Sequence, residues 1–356
     1  MRKLASIREI KHIRPIEGAD RIVCAIVDGW ECVVKKDEFK VGEKIIYIEI
    51  DSIVPDTPDF EFLRERKFRV RTIRLRKQVS QGLVMPLSIL YSPDQYKLGD
   101  DVTEALGIMK HEPEAEKEKQ LNADAMTKNP LLKFLMRYSW FRKLYPVTQK
   151  GGFPSWIVKT DEERVQNLVK LLERASAEGL KFTVTEKLDG QSLTLFLEKK
   201  GWFRYDIGVC SRNLRLRKPN NSSWWTVARQ IGAKRFLKSF KLAKRVVLQG
   251  EIIGTGIQGN KYGIKGYDFY AFNLIVDGRK YATEKMESIL TSFGIKTVPI
   301  LDSEFELKPN VADIVAYAQG TSKLANIERE GIVLRNIERN ISFKAISPKF
   351  LLAEKD

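Results

Sequence analysis

Histidine and cysteine are scarce in this sequence of 356 residues, which has two histidines and three cysteines. The cysteines, Cys24, Cys32 and Cys210, are scattered and form no Cys-x-x-Cys pair, which argues against a disulfide framework. His12 and His111 are too few for a histidine-based triad or a zinc site of the usual composition. We therefore expect chemistry that rests on lysines, carboxylates and a hard metal ion.

Long apolar runs are also missing. No stretch approaches the length needed to span a membrane, and the N-terminal residues lack the apolar core of a signal peptide. We expect a cytoplasmic protein, with a nuclear location also open, that acts as a monomer without membrane contact. The length and the hydrophobic content of 43% suit two domains with sizeable cores.

Basic residues are in excess. The 62 lysines and arginines outnumber the 46 acidic residues and give a net charge of +16. Such a surplus predicts a polyanionic partner, because neutralising phosphates releases condensed counterions. Solubility alone is the alternative explanation, but local clusters of basic residues favour a nucleic acid.

Residues 1–108 read as a small all-β domain. Short runs rich in β-branched residues alternate with turns such as Asp28-Gly29 and Val41-Gly42. This pattern is similar to an oligonucleotide/oligosaccharide-binding (OB) barrel. Four arginines near its end would then line a basic groove for a phosphate backbone, although they do not share one strand face and some could be solvated surface charge: Arg69, Arg71, Arg74 and Arg76.

Residues 109–150 change character and then lead into a second domain. Alternating charge predicts a linker, and Pro130 then opens a predicted helix. Residues 151–356 combine predicted helices at 161–178, with Thr160 as N-cap, and at 223–244 with several strands. This second domain is predicted to be α+β with much antiparallel sheet.

The stretch from Thr183 to Ser192 carries the first chemical signal. Lys187 and Asp189 lie two residues apart in a predicted strand and therefore point to the same face. An amine beside a carboxylate can act as a nucleophile with an orienting partner. Alone, Lys-x-Asp-Gly is a weak motif, since Asp-Gly after a strand is also an ordinary hairpin turn.

Further short motifs follow in the second domain. Each places a polar residue at a strand end or within an apolar run, where an unpartnered charge would be costly to bury. They are Ser211-Arg212-Asn213, Gln249-Gly250-Glu251, Asp268-Phe269-Tyr270-Ala271-Phe272-Asn273, Arg329-Glu330-Gly331 and Ser342-Phe343-Lys344. Glu251 or Glu330 alone could be exposed at a sheet edge. Exposure explains less well why both glutamates occur together with Lys344.

This ordered set resembles the motifs of the covalent nucleotidyltransferases, the superfamily of ATP-dependent polynucleotide ligases and capping enzymes. The phrases Gly-Glu-Ile-Ile-Gly at 250–254 and Asp-Phe-Tyr-Ala-Phe-Asn at 268–273 are similar to nick-sealing RNA ligases, as is the stretch from Lys159 to Asn167. An OB-like region before the catalytic domain resembles the branch of RNA ligases with an N-terminal OB domain. The implied fold is α+β: an N-terminal OB-like barrel followed by a mainly antiparallel nucleotidyltransferase domain.

The resemblance implies a role for each motif residue. Lys187 would take AMP from ATP, Asp189 would assist the 3′-OH or a metal, and Glu330 would hold Mg²⁺ or Mn²⁺. The implied ATP-binding residues are Lys187, Arg212, Glu251 at the ribose, Phe272 on adenine, Glu330, Lys344 at the α-phosphate, and Lys349. Arg212 would also contact the nucleic-acid strand. Phe272 could instead be a core residue, since an aromatic in an apolar strand usually is.

Two points qualify this implied site. Family members often carry a second lysine in the last motif where this chain has Ile346, so that Lys349 or a residue elsewhere must replace it. A free lysine is almost fully protonated at neutral pH, and an attacking Lys187 therefore needs a lowered pKa. A nearby cation such as Lys344, Arg212 or a metal would supply it.

The function these patterns favour is ATP-dependent RNA ligation through a lysyl-AMP intermediate, acting on a nicked duplex with RNA on the 3′-OH side. A DNA ligase or a capping enzyme is one alternative, although those resemble this chain only in part and carry their OB domain after the catalytic one. A non-catalytic nucleic-acid-binding protein is the other. ATP and a divalent metal are the expected cofactors.

Overall fold

The computed structural model describes residues 3–111, 152–201, 204–216 and 222–353. The expected helix after Pro130 and most of the expected linker lie outside these ranges. In the N-terminal region the strands are β1 (Ala5–Pro15), β2 (Ile22–Val27), β3 (Trp30–Lys35), β4 (Lys44–Ile48), β5 (Ser52–Ile53), β6 (Arg69–Val70), β7 (Thr72–Leu75), β8 (Gln78–Gln81), β9 (Leu83–Met85) and β10 (Met109–Lys110).

These strands form the all-β region that the sequence predicts. One antiparallel sheet has the order β3-β2-β1-β4-β9, a smaller one the order β10-β5-β6, and β7 pairs with β8 in a hairpin. The long strand β1 pairs with both β2 and β4. Its register shifts between Ile10 and His12, where a bulge bends it. Alternating side chains of β3 are buried, and Trp30 packs against Tyr47 with ring centroids 5.5 Å apart.

The second region contains helices and longer strands. Its strands are β11 (Glu163–Arg164), β12 (Lys181–Lys187), β13 (Gln191–Lys199), β14 (Tyr205–Cys210), β15 (Arg245–Gly254), β16 (Tyr267–Val276), β17 (Arg279–Lys280), β18 (Lys296–Thr297), β19 (Ile300–Glu306), β20 (Gly331–Asn336) and β21 (Ile341–Ile346). Its helices are α1 (Val169–Ala177), α2 (Ser223–Gln230), α3 (Ala233–Ser239), α4 (Thr283–Thr291), α5 (Val311–Ala318) and α6 (Pro348–Ala353).

Two sheets organise this region. The first has the order β11-β21-β20-β12-β19, and the second the order β14-β13-β15-β16-β17, with β18 beside β16. All pairs are antiparallel except β11 with β21 and β16 with β18. The prediction of a mainly antiparallel α+β domain is therefore confirmed.

The two predicted helices are wrong in extent. The stretch 161–178 does not begin as a helix at Thr160, because Glu163 and Arg164 form β11 and a 3₁₀ turn follows before α1. Pairing with β21 outweighs the local helix signal there. The stretch 223–244 is broken into α2 and α3 at Gly232, which adopts a left-handed conformation with φ of 62°. No helix in the described ranges is long and apolar enough to cross a membrane.

The N-terminal region packs directly on the second one. Gly29 N donates to Gln166 O at 3.0 Å, and Trp30 Nε1 donates to Asn167 Oδ1 at 2.7 Å. A Cβ at Gly29 would lie 2.8 Å from Gln166 O, so that only glycine allows this approach. Asn167 Nδ2 donates in turn to Glu49 Oε1 at 2.7 Å. These contacts hold the N-terminal region against the second one, where Asp51 and Lys110 line a cleft.

Candidate active site

A cleft of about 230 Å³ lies between the two sheets of the second region. Six of the predicted site residues line it: Lys187, Arg212, Glu251, Phe272, Glu330 and Lys344. Asp51, Lys110 and His111 of the N-terminal region complete one wall. Sequence motifs that are up to 157 residues apart, from Lys187 to Lys344, therefore meet in one place, as the resemblance implies.

Lys187 and Glu330 form the centre of the cleft. Lys187 is the last residue of β12 and pairs in register with Gly331, the first residue of β20. A Cβ at Gly331 would lie 2.2 Å from Ala345 O, so that glycine is required for the three strands to pack here. The preceding residue, Glu330, accepts a hydrogen bond from Lys187 Nζ at 2.5 Å.

The carboxylates around Lys187 set its protonation. Burial acts to lower the pKa of Lys187, but the charges of Glu330, Glu251 and Asp189 outweigh it and raise the pKa above its ordinary value. Burial raises the pKa of Glu330, against the opposing effect of Lys187. The lowered lysine pKa that attack requires is thus not produced by these protein groups. A cation bound close to the amine would lower that pKa.

Asp189 lies where the chain crosses from one sheet to the other. Because β12 and β13 belong to different sheets, Asp189-Gly190 is not the ordinary hairpin turn that the sequence left open. A Cβ at Gly190 would lie 2.4 Å from Ile252 O and 2.8 Å from Glu251 Cγ, so that glycine lets this turn approach β15. Asp189 Oδ2 accepts from Lys261 Nζ at 2.7 Å, and the Asp189 backbone N–H donates to Tyr262 Oη at 2.9 Å. Asp189 is therefore fixed beside the cleft.

Asp161 gathers the basic residues of the cleft. Its Oδ1 lies 3.1 Å from Lys344 Nζ and 3.2 Å from Arg212 NH2, and its Oδ2 lies 3.1 Å from Lys110 Nζ. Burial would raise the pKa of this carboxyl, but the three cations outweigh burial and hold the pKa well below its usual range. Lys344 is central in β21, between Arg164 of β11 and Val333 of β20, and is 9% exposed at its side chain.

Phe272 lies in the cleft wall, half-buried, and not in the interior of the sheet core. The register of β15 with β16 shifts beside it, between Gln249 and Gly250. The guanidinium of Arg335 lies 5.9 Å from the ring centroid of Phe272, and Arg335 NH1 donates to Thr185 Oγ1 at 3.0 Å. The ring therefore lies at the boundary between a hydrophobic cluster and the cleft.

Comparison with known proteins identifies the family. A model of the RNA ligase family matches residues 180–346, and a model of an OB-fold domain matches residues 4–87. The solved structure of Naegleria gruberi RNA ligase with PPi is 38% identical, has a TM-score of 0.81 and covers 99% of this chain and 98% of its own. Two structures of single-residue variants of that ligase, with AMP and Mn and with ATP and Mn, are each 37% identical with a TM-score of 0.82 and full coverage of both chains. A comparison with curated proteins found no match.

The chain belongs to the RNA ligase family. The predicted order, an OB fold followed by an α+β ligase domain, is confirmed. Membership favours RNA ligation over the alternatives of a DNA ligase, a capping enzyme or a non-catalytic binding protein. The OB fold and the ligase domain also confirm a nucleic acid as the class of substrate.

The four arginines predicted to bind nucleic acid lie on β6 and the residue after it and on the β7–β8 hairpin. Arg69 NH2 is paired with Asp51 Oδ1 at 3.1 Å, and Asp51 also contacts Arg164 at 3.0 Å, so that Arg69 serves the contact between the two regions. Arg71 is half-buried, whereas Arg74 and Arg76 are exposed on the β7–β8 hairpin. Binding of nucleic acid by these arginines stays a prediction, and the exposure of Arg74 and Arg76 favours the hairpin for this role.

The hairpin adjoins the mouth of the cleft. Strand β7 packs against α6, whose residues Phe350 and Leu351 line the cleft. Lys349 of the same helix is exposed and is not among the residues that line the cleft. Ile346, at the position where related ligases often have a second lysine, is 4% exposed and lines the cleft as an apolar residue.

The sequence assigns no role to several charged residues at or beside the cleft, among them Asp161, Lys110 and Lys261. Asp161 lies in the stretch from Lys159 to Asn167 that resembles nick-sealing RNA ligases, but within a predicted helix, and Lys110 lies in the predicted linker. Lys261 also lies 4.1 Å from the ring centroid of Phe350. A charge in a short loop carries no periodic signal, so that only the long-range contacts reveal these three.

Proposed function

We propose that this RNA ligase seals 3′-OH/5′-phosphate nicks, using ATP and a divalent metal. The observation that carries the proposal is the position of the Lys187 amine, 2.5 Å from the Glu330 carboxylate in a cleft that also holds Lys344 and Arg212. Such a cleft supplies an amine nucleophile, an acidic partner and phosphate-binding cations together. ATP and Mn in the structures of the Naegleria ligase agree with these cofactors.

Lys187 is the nucleophile of the first step. Its deprotonated Nζ attacks the α-phosphorus of ATP, a P–N bond forms, the bond to the β-phosphate breaks, and pyrophosphate leaves. The AMP then passes to a polynucleotide 5′-phosphate, which frees Lys187. In the last step the 3′-OH attacks that activated phosphate, a phosphodiester forms, and AMP leaves. Every step is a phosphoryl transfer, for which positioning and charge neutralisation are the main demands.

Glu330 and Asp189 are the residues we assign to the metal. Glu330 Oε2 is buried and has no hydrogen-bond partner in the described part of the chain, which leaves an acceptor oxygen for a cation or its water. Within the same part no three His, Cys, Asp or Glu side chains form a complete set of ligands. This arrangement fits Mg²⁺ or Mn²⁺, which commonly keep several waters and use substrate phosphates as ligands. Held by these residues, such an ion would supply positive charge that lowers the pKa of Lys187.

The remaining residues hold the nucleotide. We assign Glu251 to the ribose hydroxyls, Phe272 to the adenine face, and Lys344 and Arg212 to the phosphates. Glu251 and Phe272 lie on neighbouring strands of the second sheet, whereas Lys344 lies on the first sheet. The two ends of one nucleotide would thus be held by different sheets. Arg212 is held in the turn that follows β14, where Ser211 N donates to Leu214 O at 2.9 Å.

The substrate is proposed to be a nicked duplex with RNA on the 3′-OH side, bound through its phosphates by Arg74 and Arg76 of the β7–β8 hairpin.

We also propose the division of the chain into an OB domain at 1–108, a connecting segment at 109–150 and a ligase domain at 151–356. The separate hydrophobic clusters of the two regions support this division, although Met109 and Lys110 still pair with β5 of the first region. A role of Lys349 in ATP binding, the cytoplasmic location and the monomeric state stay predictions.

A nick-sealing assay tests the substrate. Four duplexes that share one sequence carry RNA or DNA on the 3′-OH strand and RNA or DNA on the 5′-phosphate strand, each with a single nick. We expect rapid sealing of both duplexes that have RNA at the 3′-OH and slow sealing of the other two. A single-stranded RNA with the same ends is the control. Preference for that strand, or for DNA at the 3′-OH, would contradict the proposal.

A further inference from the structure

Asp161 is the carboxylate on which three cations of the cleft converge. Lys344 and Arg212 contact its Oδ1, and Lys110 contacts its Oδ2. The side chains of Lys110 and Asp161 are 27% and 28% exposed, so that the contact lies partly away from water. The three cations are groups of the kind that bind a polyphosphate.

The three cations come from three separate parts of the fold. Lys344 lies in β21, Arg212 follows β14, and Lys110 lies in β10, which pairs with β5 of the N-terminal sheet. Asp161 itself is held in place because its neighbours Glu163 and Arg164 pair with β21. One carboxylate thus gathers two proposed phosphate ligands of the ligase domain and one lysine of the other region.

We infer that Asp161 holds these three cations until ATP binds, that the ATP phosphates then replace its carboxylate, and that Lys110 supplies the phosphate-binding charge for which Ile346 is unsuited. The inference rests on the proposed function, since it concerns the ATP site of the same reaction. A carboxylate and a phosphate present similar oxygens to lysine and arginine, so that one can take the place of the other.

Ile346 supports the part assigned to Lys110. It lies two residues after Lys344 on β21, within the cleft, and is apolar. Lys349 is exposed outside the lining of the cleft. Lys110 donates to the carboxylate of Asp161, and Lys344 donates to the same carboxylate. Lys110 therefore has the position from which to reach the β- or γ-phosphate once Asp161 gives way.

The inference makes Asp161 a competitor of ATP. Removing its charge should tighten ATP binding, because the phosphates no longer displace an anion. Removing Lys110 should weaken ATP binding, because a ligand is lost. A merely structural Asp161 would instead hold Lys344 and Arg212 in position, and its loss would weaken binding or slow the chemistry.

The experiment measures ATP and inorganic pyrophosphate binding by calorimetry in the full-length chain, with Lys187→Met present to prevent chemistry. We expect Asp161→Asn to lower the Kd for ATP about fivefold and Lys110→Met to raise it about tenfold. Glu173→Gln is the matched control for charge in general, since it removes an exposed carboxylate of α1 that does not line the cleft. It should change the Kd less than twofold. Melting curves show whether each variant is folded. If Asp161→Asn is not folded, Asp161→Glu, which keeps the charge, is measured in its place.

The double variant separates the two roles. If Lys110 binds phosphate, Lys110→Met should weaken ATP binding as much in the Asp161→Asn background as without it. If Lys110 acts only by holding Asp161, its substitution should have no effect once Asp161 is neutral, and the inference is overturned. Weaker or unchanged ATP binding by a folded Asp161→Asn variant would overturn it too. A wild-type chain that binds ATP but forms no lysyl-AMP would count against the proposed function instead.

Discussion

Lys187 Nζ donates to Glu330 Oε1 over 2.5 Å, across two neighbouring strands whose register is set by Gly331. The pair joins the proposed nucleophile to a proposed metal-binding carboxylate before either reactant is present. Against the effect of burial, the charge of Glu330 helps to raise the pKa of Lys187, which favours the protonated amine in this state. Binding of metal and ATP would then release the lysine and activate it in the same event.

Glu330→Gln should therefore slow lysyl-AMP formation by about a hundredfold, because one charged group that serves phosphoryl transfer is lost. The rate measured against Mg²⁺ concentration should also shift to higher concentrations. Glu338→Gln is the matched control, since Glu338 is an exposed glutamate in the turn after β20. An unchanged rate and Mg²⁺ dependence for Glu330→Gln would assign this carboxylate no role in the metal site.

Gly190→Ala should destabilise the fold and impair the cleft together. A Cβ at this position would lie 2.4 Å from Ile252 O, and the backbone that must shift carries both Asp189 and the start of β13. We expect a loss of about 2 kcal/mol in the free energy of unfolding, measured with urea. Gly201→Ala is the control, since its Cβ would meet no atom within 4 Å. Equal stability of the two variants would show that the crossing between the sheets tolerates a side chain.

Residues whose signal is local could be predicted from the sequence. Lys187, Glu251 and Glu330 lie in polar interruptions of apolar strands, and a buried charge of that kind indicates a partner. The structure around Asp161 could not be predicted in this way, because Thr160 and the following acidic residues form a good helix start and only the distant strand β21 makes Glu163 and Arg164 extended. Arg69 shows a similar limit. Its pairing with Asp51 depends on how β5 and β6 come together, which composition does not indicate.

Arg74→Ala combined with Arg76→Ala should weaken binding to nicked RNA and reduce its salt dependence. Arg76 and its neighbour Lys77 have φ angles of 47° and 69°, a conformation that is costly for residues other than glycine. Stability therefore does not explain why these two residues occupy the exposed turn. We expect the slope of log affinity against log salt to fall by about 1 to 2. The measurement is fluorescence anisotropy at several salt concentrations.

Arg64→Ala provides the control for the hairpin variant. Arg64 is an exposed arginine of the same region, but it is paired with Glu61 at 2.6 Å and with Asp56 at 2.7 Å. Its loss should leave the RNA affinity and the salt slope close to those of the wild type. If Arg64→Ala weakened binding as much as the hairpin variant does, overall charge and not the hairpin would govern RNA binding.

The cysteines should be unreactive in the folded protein. Burial raises the pKa of Cys24 to about 11 and that of Cys210 to about 12, and it also raises the pKa of Cys32. At pH 7.5 iodoacetamide should therefore alkylate the urea-unfolded chain and spare the native one. Because only the unfolded chain ionises these thiols near pH 8.5, the free energy of unfolding should fall as the pH rises from about 8.5 towards 11. Rapid alkylation of native protein would contradict this burial.

Covalent labelling tests the central claim most directly. The wild-type chain, Lys187→Met and Lys181→Met are incubated with Mg²⁺ and ATP labelled at the α-phosphate, then denatured and separated. Lys181 begins the strand that Lys187 ends and is 54% exposed at its side chain, so that it controls for loss of a lysine. We predict label on the wild type and on Lys181→Met and none on Lys187→Met. Label that persists on Lys187→Met would contradict the assignment of the nucleophile.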